Sequence, residues 1–219
     1  MTAPQPENTS ELNRRLDSPR KRLGERLRSN LSAEGLQARV IETETASLAH
    51  TFEHLTDSGA LPYAASIILG ARRRYIAGSG KSSAYATLLN SDLGATLSNV
   101  FLVDGQALNA LNILSDVRSS DVLVLFTLRR YREETVRLGR LFHQAGGALV
   151  VITDAEDAPL AAIATALVVV DTGSASYADS PTAVAAVAHL LSTLTTASAK
   201  GARRRLAARD ALSEALGIY

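Results

Sequence analysis

The stretch Tyr75-Ile-Ala-Gly-Ser-Gly-Lys-Ser82 holds the residues best suited to chemistry in this chain. A short apolar run ends in a turn with two glycines, two serines and a lysine, and a helix-forming segment follows from Ser83. Such a turn presents backbone N–H groups at a helix N-terminus, where unpaired donors and the helix dipole favour an anion, most often a phosphate. Gly78 and Gly80 let the backbone come close, while Ser79, Lys81 and Ser82 add side-chain donors for the same charge. A second set of donors follows the apolar run Val122–Phe126: Thr127, Arg129, Arg130, Tyr131 and Arg132. Guanidinium groups grip phosphate as a bidentate fork, so a glycine turn facing an arginine loop makes a phosphate clamp if the fold brings the two together.

Other chemistries are less well supported. A nucleotide P-loop needs glycine five positions before Gly80, where the chain has Tyr75. A dinucleotide fingerprint finds Gly78-x-Gly80 and an acid, Asp104, after the next apolar run, but Ser83 stands in place of the third glycine. His50-Thr-Phe-Glu-His54 has the spacing of an inverted zinc-protease motif. Both histidines and Glu53 fall opposite the helical stripe Ile41, Leu48, Phe52 and Leu55, with no evident third ligand, so no metal is expected. A Gly-x-Ser-x-Gly elbow for serine hydrolysis is absent, and no cofactor is expected.

The elements that must position these loops are read from periodicity. Apolar runs at Tyr75–Ala77, Val100–Val103, Val122–Phe126, Ala148–Ile152 and Ala166–Val170 are short and do not alternate with polar residues. That is the pattern of parallel strands buried on both faces. Helical segments lie between them at Ser83–Leu97, Ala107–Leu114, Glu133–Ala145 and Leu160–Ala164. Five successive β-α repeats predict a doubly wound three-layer α/β/α sandwich with a five-stranded parallel sheet. With the flavodoxin-like order 2-1-3-4-5, the winding reverses between strands one and three, where ligands bind beyond the strands' carboxyl ends. The loops Gly78–Ser82 and Thr127–Glu134 both belong to that crevice.

The chain before strand one is helical as well. Residues 1–17 are polar and read as a frayed tail. Ser18-Pro19 is an N-cap followed by proline at the first helical position, and Leu23, Leu27 and Leu31 repeat among Arg20, Lys21, Arg22, Arg26 and Arg28. This basic amphipathic helix is expected to dock on the main domain or on a second subunit. Further helices are predicted from Ile41 to Asp57 and from Pro62, the latter burying Ile67 and Ile68. Ser180-Pro181 repeats the cap-plus-proline signal before a closing helix, and Ala202–Leu216 forms the last one. Three regions result: a tail and basic helix over 1–39, the α/β domain over 40–200, and a C-terminal helix over 201–219.

Composition sets the bounds. The chain has 219 residues, a mass of 23.2 kDa, 46% hydrophobic residues and a net charge of +1, so no whole-chain field recruits nucleic acid. It has no cysteine, which excludes disulfides, thiolate zinc sites and a thiol nucleophile and suits a cytoplasmic location. The polar start is unlike a signal peptide, and the apolar run Ala183–Leu194 is too short to span a bilayer.

With these residues in view, the chain resembles the SIS (sugar isomerase) domains over roughly residues 40–200. Gly78-Ser-Gly-Lys-Ser82 is similar to the family's first motif, and Ile152-Thr-Asp154 followed by Ala158-Pro-Leu-Ala161 to its Ile-Thr and Ser-Pro-Leu-Ala segment. The helix before strand one and the Ser180-Pro181 helix resemble the RpiR-type branch, transcription regulators whose SIS domain senses a phosphosugar. The second motif, Ser-x-Ser-Gly-Glu-Thr, is replaced by the longer Phe126–Thr135 segment with its arginines. The resemblance implies phosphosugar binding through Ser79, Ser82, Thr127 and Thr135, in a homodimer or homotetramer. Only about 40 residues precede the SIS-like part, so a separate helix-turn-helix domain and direct DNA binding are not expected. The leading expectation is a non-catalytic sensor of carbohydrate metabolism. The alternative is an aldose–ketose isomerase with Glu134 as base, by alignment to the motif's glutamate, and His189 as its partner. Both residues also have ordinary readings, Glu134 complementing a helix N-terminus and His189 lying on a surface.

Overall fold

The computed structural model describes residues 18–28 and 31–218, so the tail reading for residues 1–17 and the side chain of Leu27 lie outside the described residues. Helix α1 (Pro19–Arg28) starts where the sequence signal places it, with the Ser18 hydroxyl accepting from the Lys21 amide at 3.2 Å. Helices α2 (Ala33–Ser58) and α3 (Ala60–Gly70) follow, separated by Gly59 in the left-handed conformation (φ 63°) that a sharp helix-to-helix turn requires.

The remainder is the expected alternation. Strand β1 (Arg73–Gly78) leads to α4 (Ser82–Thr96), β2 (Val100–Val103) to α5 (Ala110–Leu114), and β3 (Asp121–Phe126) to α6 (Glu133–Gln144). Strand β4 (Ala148–Thr153) leads through a short 3₁₀ turn (Ala161–Ile163) to β5 (Ala166–Val169). Helices α7 (Thr182–Ala197) and α8 (Ala202–Ala215) close the chain. The five strands are parallel, in the order β2-β1-β3-β4-β5.

Every residue of β3 is buried, as are the last five of β4, which explains why these segments read as unbroken apolar runs. Side chains alternate between two cores. Ile76, Val122, Val124, Phe126, Val150 and Ile152 pack on one face with α3, α4 and α7. Tyr75, Leu123, Leu125, Leu149 and Val151 pack on the other against α6, around Phe142. At the end of the sheet away from the site, Arg73 holds the fully buried Asp121 carboxylate with two bonds, at 3.0 Å through Nε and 2.6 Å through Nη2.

Two sequence expectations shift in detail. The segment Leu160–Ala164 holds one 3₁₀ turn, Ala161–Ile163, rather than a helix. The stripe Ile41, Leu48, Phe52 and Leu55 on α2 is not the buried one: Ile41 and Phe52 are exposed, and Glu44, Ser47, Thr51 and Leu55 point inward. The reason is chemical. Part of this face of α2 meets the backbone of the β5–α7 loop, whose polar groups need partners. Thr51 accepts from the Asp171 amide at 2.9 Å, and the Ser47 hydroxyl bonds the Gly173 carbonyl.

Candidate functional site

The winding reverses between β1 and β3, and the carboxyl ends of those strands deliver the two loops singled out from the sequence. Gly78 ends β1 in register with Phe126, the last residue of β3, so the turns that follow begin side by side. They open onto a cleft of about 290 Å³. Its walls are the turn Ser79–Ser82, the loop from Thr127 to Arg132, Thr135 on α6, and Thr172 with Ala178–Ser180 from the β5–α7 loop.

The turn is built by its glycines. A side chain at Gly78 would put its Cβ 2.5 Å from the Ser82 carbonyl oxygen, so only glycine lets the turn close this tightly. Gly80 adopts φ 62°, and a Cβ there would meet the Arg132 guanidinium at 3.2 Å. The amides of Ser82, Ser83 and Ala84 are occupied by carbonyls three residues back. Those of Ser79, Gly80 and Lys81 have no hydrogen-bond partner among the described residues, leaving three consecutive donors at the head of the 15-residue α4.

The opposite wall is anchored from beneath. Asp154, at the end of β4 and 5% exposed, accepts from the Tyr131 hydroxyl at 2.8 Å and the Arg129 amide at 3.2 Å. Its other oxygen lies 2.8 Å from the Arg129 guanidinium. Burial first, and then the neighbouring carboxylate, push the Tyr131 hydroxyl well above the usual tyrosine range, so it stays a donor. Arg129 therefore lines the cleft with its charge already matched. Arg130 has no ion-pair partner among the described residues, and Arg132 has only Glu134 at 3.8 Å. The two loops also touch directly, the Thr135 hydroxyl donating to the Ser79 hydroxyl at 2.8 Å. The hydroxyl of Thr127, a residue 3% exposed, is buried in the cleft wall without a partner.

Five cations line the cleft (Arg22, Lys81, Arg129, Arg130 and Arg132) against one carboxylate, Asp179. Sequence reasoning missed Arg22, Asp154 and the β5–α7 loop. Asp154 was visible as an acid closing an apolar strand beside the reversal. Arg22, more than 50 residues from the glycine turn, was visible only as one basic residue of a docking helix, with nothing to place it in the cleft. The β5–α7 loop is held by Glu44, which accepts from Ser174 at 3.0 Å, Thr182 at 2.5 Å and Ser180. Lys81 donates to the Asp179 carbonyl at 2.5 Å. Burial alone would raise the Glu44 carboxyl, but those hydroxyl donors and the charge of Lys81 outweigh it and hold it below the usual carboxylate range.

The two residues considered for proton transfer stand outside the cleft. Glu134 is at the first turn of α6 with its side chain 67% exposed, and His189 is exposed on α7. Among the described residues no group of three or more His, Cys, Asp or Glu converges to hold a metal, and His50 lies 3.9 Å from Asp171. No single described helix is long and apolar enough to cross a membrane.

A cation-lined cleft at the reversal of a five-stranded parallel sheet defines a class of α/β binding domain. The SIS domain family model matches residues 67–199, and the chain belongs to that family. No curated protein matches it in sequence. Among solved structures it is similar to the sugar isomerase domain of an RpiR transcription factor from Sphaerobacter thermophilus (TM-score 0.71, 23% identity, covering 79% of this chain and 94% of that one). It is also similar to Vibrio vulnificus NanR complexed with ManNAc-6P (TM-score 0.68, 16% identity, 81% and 68% covered). A third is an E. coli CFT073 protein in complex with a sugar phosphate (TM-score 0.53, 20% identity, 75% and 93% covered).

Proposed function

We propose that this protein binds a sugar phosphate in the cleft between the Gly78–Ser82 turn and the arginine loop and does not turn it over, serving as an RpiR-like sensor of carbohydrate metabolism. The observation that carries the reading is the cationic surplus around three unpaired amides: Arg129 is matched by Asp154 and Arg22 by Asp179, which leaves Lys81, Arg130 and Arg132 to face a phosphate dianion. Ser79, Lys81, Ser82, Thr127, Arg130 and Thr135 are the contacts proposed for it, with Gly78 and Gly80 shaping the turn. Arg129 plays a lesser part because Asp154 already compensates its charge. The complexes of NanR with ManNAc-6P and of the E. coli protein with its sugar phosphate support this class of ligand.

An isomerase reading would need a base and an acid within reach of adjacent carbons of the bound sugar. Neither Glu134 nor His189 lines the cleft, and this favours the sensor. The test is a melting screen against ManNAc-6P and a set of pentose and hexose phosphates, paired with NMR of each incubated ligand. Stabilisation with every ligand recovered unchanged supports the proposal. Interconversion of aldose and ketose phosphates overturns the sensor reading, and stabilisation by NAD alone overturns the ligand class.

A further inference from the structure

The cleft has one wall that does not come from the matched SIS region. Arg22 belongs to α1, some 45 residues before the first matched position, yet its side chain is only 16% exposed and lines the same cleft as the glycine turn. One terminal nitrogen, Nη1, donates to the Asp179 carboxylate at 2.7 Å. Its Nε, by contrast, is buried with no hydrogen-bond partner. A buried guanidinium donor left unpaired is costly, and such groups are normally satisfied by protein, water or ligand. Asp179 ties the same place to the phosphate turn, since its carbonyl accepts from Lys81 at 2.5 Å. A basic helix outside the domain, the glycine turn and the β5–α7 loop thus meet at one point.

We infer that Arg22 is a ligand-binding residue, its Nε donating to an oxygen of the bound sugar phosphate while Nη1 stays on Asp179, so that ligand binding pins α1 to the domain. This rests on the sugar-phosphate reading of the cleft and adds to it a contact from outside the SIS core and a consequence for α1. The ligand gains a charge-assisted donor, and α1 gains a second attachment to the core. Occupancy of the cleft is thereby converted into the position of a basic helix.

Arg22→Lys separates this role from a structural one, because lysine keeps a cation near Asp179 but has no Nε–H. Titration calorimetry of the full chain with ManNAc-6P and a panel of pentose and hexose phosphates is compared with amide hydrogen exchange over residues 20–28. The wild type is expected to bind one or more of the panel, with α1 exchange slowing in its presence. R22K is expected to bind the same ligand about tenfold more weakly, the scale of one lost charge-assisted hydrogen bond, and to lose the slowing. Asp179→Asn, which keeps Nε, should raise α1 exchange in the free protein yet retain its slowing by ligand. Equal affinity and equal protection in R22K and wild type would overturn the inference while leaving the ligand class standing. Failure of the wild type to bind any of the panel would overturn both.

Discussion

Replacing Gly78 with alanine strikes the turn at its tightest point. The new Cβ would lie 2.5 Å from the Ser82 carbonyl oxygen and 2.8 Å from its carbon, both backbone atoms of α4. Ordinary contact begins at 3.4 Å, so the strand end and the helix start must part by roughly 0.9 Å. A shift of that size carries an amide-to-phosphate bond of about 2.9 Å beyond the limit at which it still counts as a hydrogen bond. Losing one charge-assisted bond weakens binding about tenfold or more. With ligand at about a hundred times the wild-type dissociation constant, stabilisation falls from about 2.7 to about 1.4 kcal/mol. For a chain of this size, at about 3 °C per kcal/mol, the ligand-induced rise in Tm drops from about 8 to about 4 °C. Gly94→Ala, in the same helix with open space around it, is the control: its ligand shift should match the wild type. The assay is a thermal melt with and without the sugar phosphate. A G78A protein with the full ligand shift would refute the idea that this turn holds the phosphate.

Other outcomes follow from the same geometry. Asp121→Asn removes the buried carboxylate from Arg73, which keeps Asp116 at 2.8 Å, and should cost about 1–3 kcal/mol in denaturant unfolding, with ligand affinity unchanged because the pair lies at the far end of the sheet. Glu44→Gln should loosen the β5–α7 loop and cost roughly 1–2 kcal/mol at neutral pH. Because the folded chain holds the Glu44 carboxyl below its ordinary value of 4.5, that contribution is complete above this value and disappears as pH falls through the lower, folded value. The stability gap between wild type and E44Q should therefore close in acid, which melts across pH 3–7 would read. Glu134→Gln should leave sugar-phosphate affinity within about twofold, since the side chain is mostly exposed and, among the described residues, paired only with Arg132. A large loss by calorimetry would bring Glu134 into the site.

Legibility in the sequence followed how local the cause was. The five strands were visible because burial on both faces leaves unbroken runs such as Val122–Phe126. The order of the sheet came from the flavodoxin-like pattern 2-1-3-4-5 rather than from the residues; the sheet has that order, and the register of Gly78 with Phe126 sets both loops at one crevice. The cap at Ser18 was equally local. What escaped depended on partners distant in sequence. Arg129 reads as a phosphate ligand until Asp154, 25 residues on, accounts for its charge. The stripe on α2 misleads because apolar periodicity assumes an apolar partner, whereas Ser47 and Thr51 face loop backbone. Arg22 could be placed in the cleft only once α1 had a position in space.

The most direct measurement is calorimetric titration of one sugar in two forms, with and without its phosphate, alongside inorganic phosphate. The account predicts micromolar or tighter binding of the phosphorylated sugar, weaker binding of inorganic phosphate and no detectable heat from the free sugar, with affinity lowered in the R130A protein. Equal binding of the free and phosphorylated sugars, or an R130A protein indistinguishable from wild type, would contradict it.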